Sequence, residues 1–161
     1  MTKKATDEFK SPLADDEDGE GMAPLSIFDI CETDTQAEEN GKWFKDIFKD
    51  ESNIDLKLRR LTSKESVKVR RRLDKQFKGK QQRDGTYDDD TATAIMVKQM
   101  AHAVIVDWTN IRDRDRTEIP FSPEAAEKLM TLLPTFRDVV LVYANDMDNF
   151  RITASDEVEK N

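Results

Sequence analysis

The chain has 161 residues, 37% of them charged and 37% apolar, with a net charge of −8. That length allows one domain, whose core can close only if the charges sit in tails and on surfaces. The acidic total counts against a dedicated nucleic-acid binder, and a single cysteine, Cys31, excludes an internal disulfide and any cysteine-based metal cluster.

The charge falls in three blocks: residues 1–48 carry a net −8, residues 49–83 a net +8, and residues 84–161 a net −8. Residues 1–23 hold the run Asp15-Asp16-Glu17-Asp18-Gly19-Glu20-Gly21, with nothing apolar to bury, and read as a disordered acidic tail. Solvation is the favoured role for such a tail, over specific docking. Lys3, Lys4 and Lys10 lead into this acidic run and not into an apolar signal core. No apolar stretch approaches the ~20 residues that span a bilayer. The lone cysteine also fits a reducing compartment, so a cytoplasmic protein is expected.

A single globular domain is expected over 24–151, β-rich over 24–61 and helical over 62–151, with a frayed tail at 152–161. Leu25 to Ile30 reads as a short strand. Trp43 to Phe48 and Ile54 to Arg59 read as a hairpin over 42–60 with a five-residue loop, because Ile54, Leu56 and Leu58 alternate with Asp55, Lys57 and Arg59. Thr62 and Glu65 have the spacing of a capping box opening a helix over 62–77, ended by Gly79. On it Lys64, Lys68, Arg71, Lys75 and Lys78 form one basic stripe, while Val69, Leu73 and Phe77 form a narrow apolar one.

Residues 80–88 read as linker. Asp88-Asp89-Asp90 precede an expected helix over 91–108, with Ala94, Val97, Ala101, Val104 and Trp108 as its stripe, widened by Met96, Met100 and Ala103. A loop over 110–119 follows. Ser122 as N-cap and Pro123 at the first helical position open a helix over 123–133, with Ala125, Leu129 and Leu132 inward. Pro134 ends it. Thr135 and Asp138 read as the capping pair of a last helix over 135–147, with Phe136, Val139, Val140, Tyr143 and Met147 inward. The run Val139 to Tyr143 is apolar enough for a strand, and helix is the preferred assignment. The fold class is therefore α+β and predominantly helical, with four main helices, a small N-terminal hairpin and an acidic tail.

Little here supports chemistry. His102, the only histidine, reads as a hydrogen-bonded helix residue rather than a base or ligand. Asp107, Asn110, Asp113 and Asp115 resemble a calcium loop only superficially, since the glycine that such a loop needs is missing. Five glycines include no phosphate-binding loop. No catalytic, metal-binding or cofactor-binding residue is assigned, and no enzyme is expected. The basic stripe remains, with Lys64, Lys68, Arg71 and Lys75 as the candidate partner contacts. Protein or self docking outranks a plain solvated face, and nucleic acid ranks last, because no aromatics interleave the cations. Trp43, Trp108, Phe121 and Phe136 are expected to hold the fold.

With these residues laid out, the chain resembles the tail assembly chaperones of long-tailed bacteriophages. The resemblance covers about residues 40–151. It rests on the tryptophan-containing strand before the cationic helix (Trp43 through Phe77), on Val104-Ile105-Val106-Asp107-Trp108, on Ile119-Pro120-Phe121-Ser122-Pro123-Glu124, on Leu132-Leu133-Pro134 and on Asn149-Phe150-Arg151. The turn Asp113 to Thr117 departs from the pattern, which has an Asp-Gly there. The resemblance implies a non-enzyme that binds the tape measure protein and keeps its apolar helices soluble while tail tube protein assembles around it. It implies residence in the host cytoplasm, absence from the mature virion and, in many members, a longer frameshifted form. Met96, Met100, Met130 and Met147 suit an adaptable surface for such a partner, although core positions are the preferred reading. Self-association is a further expected property. The alternatives are a virion structural component (minor tail or head–tail connector protein) and, last, a small nucleic-acid-associated protein.

Overall fold

The computed structural model describes Gly21 and residues 23–152, so the two expected tails lie almost wholly outside the described residues. The chain divides into two units, Met1–Ile30 and Cys31–Asn161. In the first, the expected strand at residues 25–30 is instead a short helix, α1 (Ile27–Cys31). The reason is local. The Ser26 hydroxyl accepts the Asp29 N–H at 3.1 Å, and the Asp29 carboxylate accepts the Ser26 N–H at 2.8 Å. This reciprocal cap satisfies two donors that a strand would leave open.

The second unit begins with α2 (Thr35–Asn40), a helix where β structure was expected. Asp34 caps it by accepting the N–H groups of Gln36 and Ala37 at 2.9 and 3.2 Å. Gly41 stops it at φ 92°, where a Cβ would stand 3.0 Å from the Val106 methyl. The expected hairpin forms from β1 (Lys42–Phe44) and β2 (Asp55–Leu58), antiparallel with Lys42 opposite Leu58. Leu56 and Leu58 are fully buried, as their alternation required.

The first strand is shorter than expected and its loop longer. Asp55 folds the connection back by accepting the Asp46 N–H at 2.9 Å and the Lys45 ammonium at 3.0 Å. Asp46, Lys49, Glu51 and Asn53 all take left-handed backbone there.

Helix α3 (Lys64–Gln76) is capped by Ser63, whose hydroxyl accepts the Ser66 N–H at 3.3 Å. The Thr62–Glu65 box is therefore displaced by one residue. Gly79 does not end the helix, because a 3-10 turn over Lys78–Lys80 already follows it. Helix α4 (Asp89–Gln99) opens on Asp88, which accepts the Thr91 N–H at 2.8 Å.

The largest correction comes next. The expected helix over 91–108 ends at Gln99, passes through a π turn at Met100–Val104, and becomes strand β3 (Ile105–Thr109). The Ile105 N–H reaches back to the Met100 carbonyl, five residues away. β-Branched Val104, Ile105 and Val106 favour the extended form. The open edge of β2 completes it, with Leu56 opposite Trp108. The hairpin is thus part of a three-stranded antiparallel sheet ordered β1-β2-β3.

Ser122 accepts the Ala125 N–H at 3.0 Å and Pro123 opens α5 (Pro123–Leu132), as the sequence indicated. The inward face is rotated from expectation. Ala126 and Met130 are fully buried, Ala125 and Leu129 only partly, and Leu132 is 64% exposed. Packing decides this: the small Ala126 lets α5 sit close against the π turn. Pro134 ends nothing passively, since it is the first residue of α6 (Pro134–Asn145). Leu133 occupies the N-cap with no side-chain cap bond, and Asp138 faces Arg137, so the Thr135–Asp138 pair does not cap. Val139 to Tyr143 is helical, with Phe136, Val140 and Ala144 buried. Met147 lies beyond it, in a 3-10 turn over Met147–Phe150.

These elements enclose one main core around Leu56, Met100, Val104, Met130 and Val140, and a smaller cluster of Val69, Leu73, Ile95 and Ala103. Met100 and Met130 are fully buried, so core is the right reading for both. Trp108 is anchored through its indole N–H to the Ile119 carbonyl at 2.7 Å and packs edge-on against Phe121. Trp43 does not hold the fold: it is 37% exposed, with the Lys45 ammonium 5.5 Å from its ring centre. The architecture is mixed α+β and mainly helical, with four main helices as expected.

Candidate functional site

The buried side of α3 is set by Ser66, Val69 and Leu73, which turn toward α4. Ser66 is fully buried and its hydroxyl accepts the Gln99 side-chain N–H at 2.9 Å, so the polar pair is satisfied inside the packing. That phase fixes the other side. Lys64, Lys68, Arg71 and Lys75 all point outward and line one shallow groove, with Val67 at its centre and Thr62 at one end. All four candidate residues are therefore brought together.

Arg72 joins them and was missed. It lies four residues after Lys68, which places it on the same face, and counting only one narrow row of the helix concealed it. Lys78 falls outside, because it belongs to the 3-10 turn.

None of these five cations forms an ion pair with a carboxylate among the described residues. Arg70, on the flank, does pair, with Asp74 at 3.1 Å. Spacings of three and four make the five groups mutual neighbours on the helix, where like charges destabilise by ~0.2–0.5 kcal/mol per pair. Val67, 37% exposed, adds an apolar spot between them. The Glu39 carboxylate reaches only the Lys64 end, where it accepts the backbone N–H at 3.1 Å, so the face combines cations without side-chain ion pairs and a small apolar centre, a chemistry suited to an acidic amphipathic surface.

His102 is on the π turn, not in a regular helix. Its Nε2 lies 3.2 Å from Glu127, which also accepts the Lys98 ammonium at 2.6 Å. Lys98 holds the Glu127 carboxyl below the usual glutamate range, against the opposing effect of partial burial and with help from His102. A carboxyl lowered in the folded state stabilises above its unfolded value, and that contribution is lost as pH falls through the folded value. Glu127→Gln should therefore lower the melting temperature at neutral pH, by an amount worth less than ~1 kcal/mol for so exposed a pair. The difference should vanish in acid. Thermal melts of both proteins across pH check this.

The Asp107–Asp115 region forms a turn in which Asp113 accepts the Thr117 N–H at 2.9 Å. Among the described residues, no group of three His, Cys, Asp or Glu side chains could hold a metal ion. No described helix is long and apolar enough to cross a membrane.

The family model described as YdaY prophage protein matches residues 61–161, a span that begins just before α3 and takes in the whole cationic face. Neither the curated proteins nor the solved structures contain a match to the chain.

Proposed function

The chain belongs to the YdaY prophage protein family, and we propose that this phage-derived protein is a tail assembly chaperone that binds the tape measure protein. In this reading it keeps that long helical chain soluble in the host cytoplasm, brings tail tube protein to it, and is absent from the finished virion. The observation that carries the reading is the row of Lys64, Lys68, Arg71, Arg72 and Lys75 around exposed Val67, unpaired among the described residues. A helix that retains mutually repelling cations gains from a partner that neutralises them. An amphipathic helix with carboxylates beside its apolar stripe has the matching chemistry, and a tape measure protein presents many helices.

The test is co-expression with the tape measure protein of the same prophage. The expected result is a soluble complex, with the tape measure protein aggregating when this chain is omitted. If no complex forms and the chain is found in purified virions by mass spectrometry, a structural role replaces the chaperone.

A further inference from the structure

Two apolar surfaces outside the cationic face have complementary character. The first is α1 with the residue before its cap. Leu25, Ile27 and Phe28 are 66%, 64% and 71% exposed, and Ile30 is 40% exposed. Four exposed apolar side chains within six residues are far from the scattered singles normal on a surface. Residues 21–32 around them carry Asp29 and Glu32 and no cation.

The second surface is a groove of about 620 Å³ between α5 and the 111–119 loop, floored by Ile119, Leu129, Leu132 and Leu133. Arg112, Arg114 and Lys128 stand on its rim against one carboxylate, Asp113. Leu132 and Leu133 are 64% and 52% exposed.

We infer that this groove takes the α1 segment of a second copy of the chain, in a head-to-tail contact. Ile27 and Ile30 lie one helical turn apart on one face of α1 and Phe28 projects from another, so the short segment presents apolar side chains around much of its circumference, as an insert enclosed by a groove does. The acidic flank meets the basic rim, so the charge match fixes a direction as well as adding attraction. Because groove and segment are different surfaces, each docked copy leaves one of each free. The contact is heterologous and extends into a ring or an open chain. The inference stands apart from the choice of tape measure partner, since it concerns only copies of this chain.

The test uses the full chain, with Phe28→Asp and Leu133→Asp as separate variants, in sedimentation velocity over a concentration series. Both replaced side chains are more than half exposed, and position 133 is the uncapped N-cap of α6, where aspartate is a preferred residue, so both variants should fold. Circular dichroism checks that they do. The wild-type chain should grow in mass with concentration, and each substitution should weaken that growth roughly tenfold or more. Mixing the two variants should then restore a one-to-one dimer, because one still offers its groove and the other its α1. A wild-type chain that stays monomeric overturns the inference. So does association that survives either substitution, or a mixture no heavier than its parts, which would indicate a symmetric contact instead.

Discussion

Phe150→Ala should lower the unfolding free energy by about 3–5 kcal/mol, the usual range for deleting a buried aromatic ring. Phe150 is fully buried although it stands two residues before the end of the described chain. Its ring meets Phe44 edge-on at 6.0 Å, and Phe44 in turn meets Tyr143 at 5.3 Å. Its backbone carbonyl accepts the Asp34 N–H at 2.7 Å, and the neighbouring Asn149 carbonyl accepts the Lys42 ammonium at 3.1 Å. The ring therefore seats the last 3-10 turn against β1, and the backbone bond from Asp34 ties the same turn to the start of α2. For a chain of this size the loss corresponds to a fall in melting temperature of roughly 10 °C. Denaturant titration gives the free energy directly, and a change below ~1 kcal/mol would mean that this turn is not packed into the core.

What the sequence revealed, and what it hid, follows from how local each signal is. Ser122 with Pro123, and Asp88 before α4, were legible because a cap is a contact between residues two or three apart. The alternation of Leu56 and Leu58 was legible for a similar reason, since a strand's pleat alone puts them on one side. Strand β3 was not. Residues 94–108 hold an apolar pattern that suits a helix, and the β-branched run Val104 to Val106 wins over it because the free edge of β2, some fifty residues earlier, pairs with Ile105 to Thr109. The same holds for Phe150, whose partners Phe44 and Asp34 are more than a hundred residues away. At Ser26 and Asp34 the signal was present in the sequence, as a capping serine and a capping aspartate, but the apolar run Leu25 to Ile30 outweighed the first and the β-rich reading of residues 24–61 the second. The cationic face was legible because α3 alone creates it, and the missed Arg72 belongs to that same helix.

The double substitution Lys68→Glu with Arg71→Glu should leave the fold at least as stable while reducing capture of the tape measure protein at least ~10-fold. The two effects have one cause. In the free protein a carboxylate at position 68 would stand one turn from both Lys64 and Arg72, and one at position 71 one turn from Lys75. Three like-charge pairs at four-residue spacing would become opposite-charge pairs, each worth ~0.2–0.5 kcal/mol toward the helix, partly offset by new like-charge neighbours at Glu65 and Asp74, three residues away. Lys75 is left in place because its charge in the last turn favours the helix dipole. Stability and binding are thus expected to move in opposite directions, as they do where a surface keeps an unfavourable arrangement for use. Thermal melts and the co-expression pull-down, carried out on the same pair of proteins, read both. A lower melting temperature would make these cations structural, and undiminished capture would make the face a solvated surface. If the substitution instead abolishes a steeply salt-dependent affinity for DNA, the partner is nucleic acid. Undiminished stability with lost capture is the outcome that only a docking face produces, because nothing else on α3 gains from keeping five cations in a row.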